Sequence, residues 1–567
     1  MPNLKIENAD ATADQAPQHP LGKNAKILLT SVFGPYAQDD AYGSRAINPM
    51  ELFHNQVTRV QGPFSLRMFH RSFSLLLLQE NIEAPCAVLD FPTDERFRKE
   101  LRKNRYDVVG ISSILSNAGK VGAMCALIRR ILPDAKIVVG GHLANLSGLS
   151  DIIDADFIVK GDGIRWFREY LGQNPEAPIR HPAVFSGFGS RVLGIQTSSK
   201  PRDLAAALIP SVGCPMGCNF CSTSHLFGGK GKLVEFYKTG DELFWVMDSI
   251  AKKLKTESFF ILDENFLACR PKVLRLLQLM EEYEKSWSLY IFSSAHVIRS
   301  YSMDELVRLG VRWLWMGIEG KGSSYEKVRG ADTFGLVRGL QENGISVLGS
   351  TIIGLEEHSE ENLGEVIDWA VSHRTDFHQF MLYTALPGTP LHREKESEGS
   401  LLNQDDVPFA DSHGQYRFNH RHAGMGPGKE TEFLLKAFRR DFDRNGPSLA
   451  RMISTLLSGY RNLRHHPSAR VRKRILRESA PLAVDYAGVI WALKEYFKGQ
   501  PELRFKLYGL LEEILEAFGR VSRISAPILG TILLSAIKKE ERRLKRGWTY
   551  EPPCFFELNA TAKKILR

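Results

Sequence analysis

Three cysteines close together set the chemistry this chain can do. Cys214, Cys218 and Cys221 form a C-x3-C-x2-C pattern within SVGCPMGCNFCSTSH, residues 211–225. Gly213, Pro215 and Gly217 bend the backbone between them, so three thiolates can face one centre from a single loop. Three protein ligands leave one iron of a four-iron (4Fe-4S) cluster open to a substrate or cofactor, which points to chemistry beyond electron carriage. A second reading stands beside this one. His225 would complete a Cys3His set, which zinc accepts.

The elements around this loop must hold it in place. A strand at 204–211 runs directly into the cysteines. Further strands follow at 258–262, 289–293, 313–318, 346–353 and 378–383, each preceded by a helical pattern. About six such strand–helix units predict a partial or full barrel over 205–395 with its site at the strand ends. Asp263, Glu264, Asn265 and Glu319 fall at those ends. Upstream, strands at 26–32, 86–90, 107–112, 136–139 and 156–160 alternate with helical patterns at 66–81, 95–104 and 121–131. That alternation predicts a doubly wound parallel sheet over 26–172. Ligands of such sheets bind outside the carboxyl ends of the strands, where Ser112, Ser113, Gly140 and Gly141 lie.

The cysteine pattern, with Phe220 just before its last member, resembles the signature of the radical S-adenosylmethionine (SAM) superfamily. In that family the open iron holds SAM, and the reduced cluster cleaves it to a 5′-deoxyadenosyl radical. The strand-end residues extend the resemblance. Asp263-Glu264-Asn265-Phe266 is similar to the D-D-x-F of cobalamin-type members, which faces the SAM amine. Met316-Gly317-Ile318-Glu319-Gly320 is similar to G-I-E-S-G without its serine, which implies that Glu319 binds ribose hydroxyls. Ile352-Ile353-Gly354-Leu355 resembles the fifth-strand motif beside the adenine, although Glu356-Glu357 replaces the usual Pro-Gly. Leu386-Pro387-Gly388-Thr389-Pro390-Leu391 matches the P-G-T-P-L turn that closes the module.

The first region resembles the cobalamin-binding domains joined to such barrels. Ser113-Ile114-Leu115 matches S-x-L, Gly140-Gly141 the glycine pair, and Gly161-Asp162-Gly163 the later glycine turn. The D-x-H-x-x-G element is missing from the loop at 34–64, so no histidine below the cobalt is assigned. The resemblance implies cobalamin, SAM and a 4Fe-4S cluster as cofactors. It also implies methyl transfer to an unactivated carbon, with cyclisation, C–C coupling or oxidation as the alternative. A non-catalytic zinc or iron–sulfur protein is the alternative from a different class.

Composition bounds these readings. The 567 residues are 43% hydrophobic and 25% charged, as in soluble globular proteins. Seven cysteines are too few and too unevenly placed for a disulfide framework and suit a reducing cytoplasm. The polar stretch 1–25 has no apolar core and reads as a disordered tail rather than a secretory signal. Residues 173–204 read as a linker and 396–429 as a polar loop over the site. No apolar run reaches the roughly 18 to 20 residues that span a bilayer. The nearest, 524–537, reads as a buried helix.

Helical patterns fill 430–567, broken at Pro447, Pro467, Pro481 and Pro501. From Thr431 to Arg567 there are 27 Lys and Arg against 14 Asp and Glu, a surplus of 13 in a chain whose formal charge is +9. Arg461, Arg464, Arg470, Arg472, Lys473, Arg474 and Arg477 form a basic cluster. Its expected roles are a solvated face, peripheral contact with an anionic membrane, or docking of an electron donor such as flavodoxin or ferredoxin. No readout motif for specific nucleic-acid binding accompanies it. The expected substrate is a small molecule or a lipid, and the expected location is cytoplasmic or membrane-associated.

Overall fold

The structure, a computed structural model, describes residues 7–8, 18–32, 53, 56–196, 204–320, 325, 328, 330–547 and 554–565. Most of the 1–25 tail and of the loop at 34–64, and part of the 173–204 linker, lie outside the described residues. Within the tail, Glu7–Asn8 pairs in parallel with Lys232–Leu233, so those two residues are strand.

Two parallel sheets organise the chain. The first runs Cys86–Asp90, Ile27–Thr30, Val108–Ser112, Lys136–Gly140, Phe157–Ile158 in spatial order, all parallel. Its central strands are buried along almost their whole length, as continuous Val, Ile and Leu runs require when helices cover both faces. The chain leaves Ile27–Thr30 towards one edge and returns on its other side at Val108–Ser112. This reversal opens a crevice at the carboxyl ends of those two strands. Helices start where side chains cap them: Thr93 accepts from Arg96 N–H, and Asp162 from Ile164 and Arg165 N–H.

The second sheet places Ala206–Leu208, Ser258–Ile261, Ser288–Phe292, Val311–Gly317, Ser346–Ile353 and Phe377–Leu382 side by side in chain order. Six parallel strands with right-handed helical crossovers form the expected partial barrel. Capping boxes at Thr239 and Ser302 begin two of its helices.

Several expectations are corrected. The strand read at 204–211 breaks at Ile209-Pro210. Beyond it, Ser211–Gly213 joins a separate small sheet, antiparallel to Lys232–Glu235, because proline cannot continue the barrel ladder. The helix read at 66–81 is confined to Phe73–Glu80, while Arg67–Phe69 pairs antiparallel with Phe188–Val192. The C-terminal region is not wholly helical. Phe555–Leu558 returns to the first sheet and pairs antiparallel with Cys86–Asp90.

Three members of the basic cluster are not solvated, while Arg461, Arg464 and Lys473 stay exposed. Arg470 donates to Lys285 O at 2.9 Å and to Arg308 O, and Arg474 to Val307 O at 2.6 Å. The Val307 and Arg308 carbonyls end the helix Met303–Leu309, where cations are favoured. Arg477 pairs with Glu257 and donates to Ser286 O at 2.7 Å. Glu257 and Ser286 precede barrel strands, so the cluster fastens the helical region to the strand-start end of the barrel. The polar loop is likewise packed. Phe418 and Met425 are buried with Ile353, Leu355 and Phe380. The helix around 524–537 runs from Arg520 to Lys545 and is long and apolar enough to cross a membrane by length and composition. Only 28% of its apolar window is buried, against the expectation of a buried helix.

Candidate functional site

The cysteine loop sits between the first barrel strand and the small sheet. Cys221 N–H donates to Cys218 O at 3.1 Å, closing a tight turn. Cys214 is buried, while Cys218 and Cys221 are half-buried. Burial pushes the Cys214 thiol up to about 12, and nearby Cys221 and Glu264 add to the shift. A thiolate at that position needs a cationic partner, as an iron cluster would provide. The zinc alternative fares worse. His225 Nε2 lies 3.1 Å from Cys218 O. Among the described residues no group of three or more His, Cys, Asp or Glu gathers tightly enough for a single metal ion.

The loop is held from the barrel side. Leu391 N–H, in the P-G-T-P-L turn, donates to Asn219 O at 3.1 Å. The Asn219 side chain joins two tyrosines: its Nδ2 donates to Tyr383 Oη at 2.9 Å and its Oδ1 accepts from Tyr325 Oη at 3.1 Å. Phe220 packs edge-on against both rings, with centroids 5.2 and 5.9 Å away. Tyr325 lies within electrostatic reach of both Cys218 and Glu319.

The strand ends are tied to one another. Asp263 accepts from Ser211 Oγ at 2.8 Å and from Asn265 N–H at 3.0 Å. It touches cavity space yet lies deep in the protein, and burial raises its pKa. Asn265 reaches the next strand end, accepting from Ser293 Oγ at 2.8 Å and Ser294 N–H at 3.0 Å. Glu319 is 1% exposed and holds φ at 60°, a conformation a non-glycine residue adopts only under constraint. Beside it, Gly354 has φ +84°, and a Cβ there would lie 2.2 Å from Phe418 Cζ. His358 Nδ1 accepts from Gly354 N–H at 3.1 Å. Glu356 pairs with Lys395 at 3.1 Å, which holds its carboxyl below the usual carboxylate range.

One cavity of about 550 Å³ joins the two sheets. Its first-sheet wall includes Ser112, Ser113, Gly140, Gly141 and Gly161. Its barrel wall includes Asp263 and Glu264, together with Ser211, Val212, Gly213, Leu226 and Phe227 flanking the cysteines. The structure thus brings together seven of the expected cofactor-binding residues, Ser112, Ser113, Gly140, Gly141, Gly161, Asp263 and Glu264. Phe220, Glu319, Gly354 and the three cysteines do not line this cavity and group at the barrel mouth beside it. Gly141, at φ +82°, leaves no room for a side chain: a Cβ would meet Ser113 O at 2.5 Å.

Sequence reasoning missed Arg71 and His142, which line the same cavity. Arg71 Nε and Nη2 and His142 Nδ1 are buried without a hydrogen-bond partner. Arg71 is held from behind by Glu557 and lies 4.5 Å from the Phe555 ring, both on the C-terminal strand. His142 directly follows the glycine pair, and its place there was the available signal. Arg71 gave none, because its contacts come from the far end of the chain. Unfilled donors around a glycine-lined floor fit a large ligand rich in amide and phosphate acceptors, as a corrinoid is.

Residues 77–171 match the family model of the B12 binding domain. The chain is 28% identical over 248 residues to bacteriochlorophyllide d C-12(1)-methyltransferase of Chlorobaculum tepidum, covering 41% of this chain and 50% of that protein. It is 25% identical over 243 residues to hopanoid C-2 methylase of Rhodopseudomonas palustris, covering 40% and 45%. The chain therefore spans about half the length of these curated relatives. The fold is similar to that of TsrM from Kitasatospora setae, a radical S-adenosylmethionine methyltransferase solved with cobalamin and a 4Fe-4S cluster bound. The TM-score is 0.51 at 15% identity, over 81% of this chain and 99% of that one. The cysteine loop thus lies at the mouth of a six-stranded barrel, in a fold this chain shares with TsrM, and the B12-binding-type sheet faces it across one cavity.

Proposed function

We propose that this chain is a cobalamin-dependent radical SAM methyltransferase acting on an unactivated carbon. One observation carries the reading: the corrinoid-type sheet edge and the barrel strand ends beside the cysteine loop bound a single cavity. A methyl carrier and a radical source must share one water-excluded space for a transient carbon radical to be methylated before it is quenched. When bound, the cluster supplies the electron that cleaves SAM and the corrinoid supplies the methyl group.

In this reading Cys214, Cys218 and Cys221 hold the cluster, and Phe220 braces their loop against Tyr325 and Tyr383. Glu264 and Glu319 meet the SAM amine and ribose, where a carboxylate makes strong charge-assisted hydrogen bonds. Both oxygens of Asp263 already accept protein hydrogens, so its part is to fix Glu264 and the second strand end. Gly354 lets the Phe418 ring close against the end of the fifth strand, beside the place of the adenine. Ser112, Ser113, Gly140, Gly141 and Gly161 form the corrinoid floor, and Arg71 and His142 donate to its polar periphery. The apolar side chains Leu226, Phe227, Phe236 and Phe292 keep water from the shared space. The substrate is a small molecule or lipid, and a flavodoxin- or ferredoxin-type donor supplies reducing equivalents.

The test is anaerobic reconstitution of the cluster, followed by reductant and SAM with and without cobalamin. Formation of both 5′-deoxyadenosine and S-adenosylhomocysteine, the second only with bound cobalamin, is the expected result. Deoxyadenosine alone replaces methyl transfer with another radical reaction. Absence of both from a protein loaded with iron and cobalamin overturns the proposal.

A further inference from the structure

We infer that the helix Arg520–Lys545 lies on an anionic lipid surface as an interfacial helix, apolar face inward to the acyl boundary. The inference is independent of the chemistry proposed for the cavity.

The helix has two unlike faces. Ser522, Ala526, Gly530, Leu533 and Ile537 are buried against the helix Asp485–Tyr496, so closely that a Cβ on Gly530 would lie 2.3 Å from the Trp491 ring. The opposite face carries Val521, Ile524, Ile528 and Ile532, which are 58%, 64%, 62% and 61% exposed. Their spacing of three or four residues lines them along one side of the helix over roughly 17 Å. A lone exposed isoleucine means nothing, but four in register on one face mark a surface that something covers.

The charges around this stripe identify its occupant. Arg520 and Arg523 flank it at one end and Lys538, Lys539 and Arg542 at the other, all exposed. No exposed Asp or Glu occurs anywhere in the helix: Glu540 is buried and Glu541 half-buried. An apolar centre bracketed by cations and free of exposed carboxylates fits a bilayer surface with anionic headgroups. Crossing the bilayer would require the helix to leave its packing on Asp485–Tyr496, so the surface geometry follows. Arg470, Arg474 and Arg477 take no part, since their guanidiniums are bound to barrel carbonyls.

The test uses the full chain with its cluster reconstituted. Cosedimentation is measured with vesicles of three parts phosphatidylcholine to one part phosphatidylglycerol, and with phosphatidylcholine alone. Binding to the mixed vesicles is expected to be at least about tenfold tighter and to weaken with salt. Ile524→Glu with Ile528→Glu should reduce it by about tenfold or more. Lys538→Glu with Lys539→Glu should reduce it by about fivefold or more per residue. Bound iron, unchanged in each variant, shows that the fold is intact. Three outcomes overturn the inference: no binding to the mixed vesicles, binding that neither pair of substitutions weakens, or a stripe substitution that alters the oligomeric state without altering lipid binding. The last would assign the stripe to a second copy of the chain.

Discussion

The two ends of the barrel sheet treat polar groups in opposite ways. At the strand starts, Arg470, Arg474 and Arg477 commit their guanidiniums to Lys285, Arg308, Val307 and Ser286 carbonyls and to Glu257. At the strand ends, Glu319 is held at φ 60°, and across the cavity on the first-sheet side Arg71 and His142 keep buried nitrogens without a hydrogen-bond partner. The strand-start end is rich in charge, and each of these three guanidiniums is bonded, although Arg474 Nε keeps no hydrogen-bond partner. The strand-end face opens instead on the cavity shared with the first sheet. Local charge density therefore says little about where chemistry occurs, whereas the cavity shared with the first sheet says a good deal.

Substitutions can break this contrast in order of size. Cys218→Ala should abolish cluster binding and, with it, deoxyadenosine formation, a loss of about a thousandfold or more. Iron content and the charge-transfer absorbance of the cluster would report it. Gly141→Ala forces a Cβ against Ser113 at a left-handed φ. Retained corrinoid should fall about tenfold while iron is unchanged, because the strain acts on the first-sheet wall alone. At the other end, Arg474→Met removes a buried charge from Val307 O and Glu478. It should cost about 3 kcal/mol of stability in denaturant titration and leave corrinoid and iron stoichiometry intact. Loss of corrinoid from that variant would show that the two ends are coupled.

The smallest effect is in pH dependence. His378, near the start of its strand, and His420, packed beside the strand ends, are both buried, and burial lowers them to about 3 and about 4. They stay neutral in the fold and protonate once unfolded. Their contribution is fully present above about 6.5 and is lost as pH falls towards those values, at up to about 1.4 kcal/mol per pH unit each. Unfolding titrations at stepped pH should show that slope, shallower by about one residue's share in His378→Gln. An unaltered slope would remove His378 from the account.

The barrel was legible because each of its strands is a short apolar run ending in a distinctive polar residue, as at Asp263 and Glu319. The crevice residues were legible too, since Gly140-Gly141 closes the apolar run from Lys136 to Val139. Elements defined by distant partners were not. Arg67–Phe69 continues the apolar pattern of the next helix, and only its pairing with Phe188–Val192 makes it a strand. The cluster from Arg470 to Arg477 has the sequence of a solvated face, and nothing local reveals the carbonyls it meets. Helix 524–537 was read as buried on hydropathy, which cannot distinguish a stripe facing the core from one facing outward.

The strand Phe555–Leu558 has a consequence in time. It seals the edge of Cys86–Asp90 and carries Asn559, which bonds Cys86 from 473 residues along the chain. During synthesis at about 5–20 residues per second, that edge stays open for roughly half a minute to a minute and a half after it emerges. A bare strand edge is a template for pairing with other chains. The nascent protein therefore passes through a window of aggregation risk that closes only when residues 555–559 are made, and the hold of Glu557 on Arg71 is established in the same closing step.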